Sequence, residues 1–212
     1  MKQNYRLLVS LVFSIFFSFS SLALSQILDT SNNTPVLDTD GHELQTSSKY
    51  LIVPAQSSKG GGLSLGARDR ACPFYVMQEN QESKDGLPIK LMPVDNKQRT
   101  IRLSSDLNIV FSAATICVQS TVWRLGNEDE VTGARYVISG GVMGRPGADT
   151  VSNWFRIERQ GNGFVYRIVF CPSVCSTCKV VCGNVGVFSE NGKRWLGLSD
   201  NPILVTFKNV SS

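Results

Sequence analysis

Four cysteines fall within CPSVCSTCKVVC, Cys171 to Cys182, and two more stand apart at Cys72 and Cys117. Thiols at such spacing can hold zinc, exchange electrons or cross-link the chain. A four-cysteine zinc site in its usual two-knuckle form uses two CxxC pairs. Here a single CxxC, Cys175 to Cys178, is flanked by CxxxC on both sides. A thioredoxin-type dithiol expects its CxxC in a βαβ unit, and no such pattern surrounds CSTC. Cross-linking remains. Cys171 and Cys182, and likewise Cys175 and Cys178, are symmetric about the point between Ser176 and Thr177. Residues equidistant from a hairpin turn face each other at disulfide distance, so nested bridges Cys171–Cys182 and Cys175–Cys178 are expected. Cys72 and Cys117 are left to pair with each other.

No other fragment completes an active site. Gly62-Leu63-Ser64-Leu65-Gly66 has the letters of the G-x-S-x-G nucleophile elbow, which needs a strand-to-helix turn and a later histidine. The single histidine, His42, comes earlier. It has no second histidine with which to share a metal, and it is expected in a polar turn with Asp40 and Gly41. Gly60-Gly61-Gly62 lacks the Lys-Ser/Thr of a phosphate loop. Glu128-Asp129-Glu130 reads as a solvated turn rather than a general acid/base pair. The expectation is a protein that is not an enzyme, with no metal and no cofactor.

The disulfide reading requires an oxidizing compartment. Lys2 and Arg6 lead into an uncharged apolar run, Leu7 to Phe19, and Ala23 and Ser25 supply the small residues of a signal-peptidase site. A secretory signal over residues 1–25 is expected, followed by a single domain over residues 26–212. An even number of cysteines in a secreted chain pairs. Later segments fall short of the roughly 20 apolar residues of a membrane span. Loss of the signal removes two of the 21 basic residues and leaves 19 against 17 acidic ones, a net charge of +2. They are scattered, so neither nucleic acid nor membrane is expected as a partner. Asn32-Asn33-Thr34 and Asn209-Val210-Ser211 are candidate glycosylation sites.

The elements that must position these residues read as strands. Leu107, Ile109 and Phe111 alternate with a period of two, as do Phe164, Tyr166, Ile168 and Phe170, and Ile203, Val205 and Phe207. That period marks strands with one buried face. SSKGGG, GGVMGRPGAD, RQGNG and SENGK supply the breaks. Many short strands without a helix-sized segment predict an all-β barrel or sandwich.

One longer stretch is more specific. VLDTDGHELQTSSKYLI, Val36 to Ile52, resembles the N-terminal signature of the plant Kunitz soybean-trypsin-inhibitor family, through Asp38, Asp40, Gly41, Leu44, Tyr50 and Ile52. The resemblance continues through CPFYVMQ, IRLSSDLNIVFS, STVWRL, WFRIE, YRIVFCP, CGNVGVF and LGLSDNPILVTF. The cysteine cluster resembles the miraculin-like branch, which nests an extra short bridge inside the second of the two usual ones. This implies a β-trefoil: twelve strands in three four-stranded units with pseudo-threefold symmetry. It also implies a monomeric protein of the apoplast or vacuole, acting in defense. Family members inhibit proteases, mostly serine endopeptidases, through a convex, substrate-like loop. A loop held in shape beforehand loses little entropy on binding and leaves slowly.

The corresponding loop here is MPVDNKQRTIR, Met92 to Arg102, with Asp95, Asn96, Lys97, Gln98 and Arg99 as its reactive segment. Alignment with the family's shorter loops puts Asn96 at the pocket-entering position, or Lys97 if the one-residue difference falls before it. Trypsin inhibitors of the family place Arg or Lys there. Many use an Asn beside the loop as a spacer; the matching residue is Thr46, whose hydroxyl donates fewer hydrogen bonds than an amide. The taste-linked histidine and extra cysteine of the miraculin-like branch fall on Lys59 and Gln160, which cannot replace them. Two functions stay open: an inhibitor of trypsin- or subtilisin-like enzymes acting through Asp95 to Arg99, and a non-inhibitory trefoil binding or defense protein.

Overall fold

The alternating runs become the staves of a barrel. The computed structural model describes residues 34–210, so the expected signal and Asn32 lie outside the described residues. Twelve strands follow in order: β1 (Tyr50–Pro54), β2 (Leu63–Gly66), β3 (Tyr75–Gln78), β4 (Ile89–Pro93), β5 (Leu107–Phe111) and β6 (Arg124–Glu128). The second half comprises β7 (Arg135–Ile138), β8 (Arg156–Arg159), β9 (Tyr166–Phe170), β10 (Gly183–Glu190), β11 (Lys193–Ser199) and β12 (Leu204–Asn209). A short 3-10 segment, Ala148–Asn153, is the helical element among the described residues. No helix among them is long and apolar enough to cross a membrane.

β1 pairs with β12 and β4, β4 with β5, β8 with β9, and β9 with β12. Leu107 of β5 and Phe155, just before β8, exchange two backbone hydrogen bonds of 2.9 Å and close the ring. The remaining strands form three hairpins, β2–β3, β6–β7 and β10–β11. Their second strands β3, β7 and β11 also pair with one another and form a cap. Each third of the chain thus supplies two staves and one hairpin, which is the β-trefoil.

Leu107, Ile109, Phe111, Tyr166, Ile168, Phe170, Val205 and Phe207 are all buried in the barrel, as the alternation requires. Phe164 departs from the expectation. It lies before β9 and is 36% exposed, its ring over Gly41, whose φ is +82°. The RQGNG turn ends the ladder before Phe164 can enter the core. Gly62 explains the glycine run: a Cβ there would lie 1.9 Å from the Asp85 carbonyl oxygen, so only glycine lets the two backbones approach.

All six cysteines are bridged, in the pairs Cys72–Cys117, Cys171–Cys182 and Cys175–Cys178. The β9–β10 ladder pairs Phe170 with Gly183, so Cys171 and Cys182 are the next opposed pair. The inferred symmetry is therefore a continuation of a strand register.

Arg68 ties the three cap hairpins together. It follows β2 and donates to Glu190 at the β10–β11 turn (2.7 and 3.0 Å) and to Asp129 at the β6–β7 turn (2.9 Å). Its guanidinium lies over Tyr136 of β7 and Tyr75 of β3, 4.5 and 5.5 Å from the ring centers. Asp129 also accepts the N–H groups of Val131 and Thr132 and the Thr132 hydroxyl. The Thr132 backbone, then its hydroxyl, then Arg68 hold the Asp129 carboxyl down at about 2. Arg68 is the main reason that the Glu190 carboxyl also lies below its usual value.

Carboxyls depressed in the folded state stabilize it above their unfolded values and cease to do so as pH falls through the folded ones. Thermal stability should therefore fall on acidification from about pH 4.5 toward pH 2. Arg68→Met should remove the Glu190 share and only part of the Asp129 share. A midpoint-against-pH curve that keeps the same slope below about pH 4.5 in Arg68→Met would contradict this assignment.

Candidate functional site

The segment that leaves β4 at Pro93 is closed at its base by Val94 N–H donating to the Asp106 carbonyl, 2.8 Å. Asp95 then folds a turn. Its carbonyl accepts Gln98 N–H (3.1 Å) and its Oδ1 accepts Lys97 N–H (2.9 Å), leaving Asn96 and Lys97 at the two central positions. Asp at the first position of such a turn caps its own backbone in this way. Gln98 Nε2 closes the descending side on the Thr100 carbonyl at 2.8 Å. Asp95, Asn96, Lys97 and Arg99 are exposed, and Gln98 is half-buried.

The descending limb is pinned to the N-terminal segment. Thr46 N–H donates to the Arg99 carbonyl (2.8 Å), Ile101 N–H to Leu44 (2.8 Å) and Val36 N–H to Ile101 (2.9 Å). Val36, Leu44 and Ile101 are wholly buried, so apolar contacts back up the two hydrogen bonds among them. Thr46 thus meets the segment through its backbone N–H.

Sequence reasoning missed Asp106. Its buried carboxylate receives Arg156 Nε at Oδ1 (2.7 Å) and the Ser173 N–H and hydroxyl at Oδ2 (2.8 and 2.7 Å). One aspartate therefore joins the base of the exposed turn to β8 and to the cysteine-rich segment. Nothing local to SSDLNI signals this, since both partners are remote in sequence.

The other candidates fall where no reaction is assembled. Ser64 lies within β2, between strand residues rather than at a strand-to-helix turn. His42 is exposed, in the turn capped by Asp38, whose Oδ1 accepts the N–H groups of Asp40 and His42 at 3.0 and 2.9 Å. Asp38, Asp40 and His42 offer ligand atoms within 4.8 Å of one another and are the described residues nearest to a cation-binding set. Asp38 Oδ1 is already committed to the turn. Lys59 and Gln160 are both exposed, and so is Asn209, at the end of β12.

The trefoil thus holds an exposed turn out on two pinned limbs. The sequence model of the Kunitz legume family, described as trypsin and protease inhibitor, matches residues 36–209. The chain belongs to this family. Among its Kunitz relatives, miraculin of Synsepalum dulcificum is 42% identical over 213 residues, 96% of each chain. Kunitz trypsin inhibitor 5 of Arabidopsis thaliana is 44% identical over 177 residues, 83% of this chain and 86% of the relative. The solved bifunctional α-amylase/subtilisin inhibitor of Oryza sativa superposes with a TM-score of 0.68 at 37% identity, covering 84% of this chain and 99% of that one. Membership in the Kunitz family makes this a β-trefoil protein and not an enzyme.

Proposed function

We propose that this protein is a secreted inhibitor of serine endopeptidases, presenting Asp95 to Arg99 to the protease cleft. The observation that carries the reading is the pinned exposed turn: Thr46, Leu44 and Asp106 hold its limbs by backbone hydrogen bonds of 2.8 Å. Such a segment is ordered before it binds, so association sacrifices little conformational entropy. Relatives named as inhibitors of trypsin and of subtilisin support the class of target. On this reading the chain is released without residues 1–25 and acts as a monomer in defense.

A second reading has its own observation. Asn96 and Lys97 occupy the center of a hydrogen-bonded turn, whereas a peptide bound in a protease cleft lies extended, as an added strand. If the turn does not open, the protein is a trefoil binding protein that does not inhibit. The chain over residues 26–212, assayed against trypsin, chymotrypsin, subtilisin and papain, separates the two. Tight inhibition of a serine endopeptidase is expected. Full activity of all four enzymes at micromolar protein would overturn the inhibitor reading.

A further inference from the structure

A second exposed segment, Gly141-Val142-Met143-Gly144-Arg145-Pro146, lies between β7 and the 3-10 segment. It is held from beneath by two buried asparagines, Asn108 of β5 and Asn153 at the end of the 3-10 segment, 0% and 3% exposed. Asn153 Nδ2 donates to the Val142 carbonyl (3.1 Å), and Asn108 Oδ1 accepts the Gly144 N–H (2.7 Å). Asn108 Nδ2 in turn donates to the Asn153 carbonyl at 2.9 Å, which makes the two amides one frame. The flanks are fixed as well. Gly141 N–H donates to the Val122 carbonyl (2.9 Å), and the Thr150 hydroxyl donates to the Arg145 carbonyl.

Buried amides must find their hydrogen bonds within the protein, and these two find them on the backbone of an exposed segment. The shape of the segment is therefore set from the core. Val142 and Met143 are 48% and 52% exposed, and among the described residues nothing hydrogen-bonds the N–H or the carbonyl of Met143. The chain passes through residues 141–143 without a turn or bend, and neither Val142 nor Met143 has a positive φ. A peptide that binds as an added strand takes this extended form and offers free backbone groups in the same way. Beyond it Gly144 and Arg145 have φ of +70° and +55°, so the chain turns away and Arg145 does not continue the extended run. The side chain presented is the apolar one of Met143.

We propose that this segment is a second protease-binding site, at which Met143 enters the primary pocket of a serine endopeptidase whose pocket is a deep apolar slot. Methionine is long, unbranched and adaptable, so it fills such a slot readily. The asparagine anchors lie on both sides of the Met143–Gly144 peptide, so the segment enters a cleft without first having to order itself. The site differs from Asp95 to Arg99 in its residues and in the pocket it fits. It stands whether or not that turn inhibits trypsin.

Chymotrypsin, whose primary pocket is a hydrophobic slot, is the probe. The chain over residues 26–212 should inhibit its hydrolysis of a small peptide substrate with a constant of about a micromolar or less. Met143→Ala should raise that constant about tenfold or more, through loss of the buried side chain. Met143→Asp should raise it about a hundredfold or more, because the slot offers a carboxylate no partner. Val131→Asp puts the same charge on a 92% exposed valine at the β6–β7 turn and should leave the constant within about twofold. Both positions are exposed, so the variants keep the fold of the parent. Full chymotrypsin activity at about ten micromolar wild-type protein overturns the proposal. So does a constant that Met143→Asp leaves unchanged, or one that Val131→Asp raises as far.

Discussion

Replacing both Cys72 and Cys117 by alanine should lower the free energy of unfolding by about 4 kcal/mol. The bridge joins residues 45 apart in sequence and encloses β3, β4, the exposed turn and β5. In the chain-entropy account the constraint on the unfolded chain grows with the enclosed loop. By the same relation Cys171–Cys182, with a separation of 11, is worth roughly 3 kcal/mol, and Cys175–Cys178, with a separation of 3, roughly 2 kcal/mol. The order of the three matters more than the values, because native strain and residual structure alter each. Cys117 is buried but small, so its truncation leaves little cavity to confuse the comparison. Denaturant unfolding of the three double-alanine variants, compared at equal slope, reads the order directly. If loss of Cys72–Cys117 costs no more than loss of Cys175–Cys178, loop closure does not govern stability here.

The strands were legible because a barrel stave turns every second side chain to the core, and Leu107, Ile109 and Phe111 display that in five letters, with the polar Asn108 between them buried as well. The Cys171–Cys182 bridge was legible for a related reason, since a continued ladder fixes which cysteines oppose. Closure was not legible. The Leu107–Phe155 pairing joins distant segments by backbone groups that every residue possesses, so no side-chain pattern records it. The trefoil came from resemblance. Arg68 was equally silent: its partners Asp129 and Glu190 lie 61 and 122 residues away. Glu128-Asp129-Glu130 reads correctly as an exposed turn at Glu128 and Glu130, while the middle residue is drawn inward to Arg68. For the candidate site, resemblance proposed the segment but not its shape. The Asp95 cap follows from a short acceptor two residues before the N–H of Lys97, a pairing that Asp95-Asn96-Lys97 permits in many conformations.

If trypsin is a target, Lys97→Ala should raise the inhibition constant about 30-fold or more. Lys97 stands exposed at the center of the turn, where a long cation can leave the scaffold and enter a deep acidic pocket. A cation fully desolvated against a carboxylate is the kind of contact whose truncation commonly costs at least about 2 kcal/mol. Arg99 differs in position: its carbonyl is held by Thr46 N–H in the pinned limb. It should act as a rim charge, with Arg99→Ala changing the constant by less than about fivefold and mainly through the on-rate. The competing register puts Asn96 in the pocket. Its neutral amide would leave the acidic group of a trypsin-like pocket unpaired, so the wild type would be weak and Lys97→Ala near neutral. Asn96→Arg would then create tight binding on the existing turn. The three substitutions, measured together as inhibition constants at fixed salt, assign the pocket residue. Tight trypsin inhibition that survives Lys97→Ala, Arg99→Ala and Asn96→Arg unchanged would place the contact outside this segment altogether.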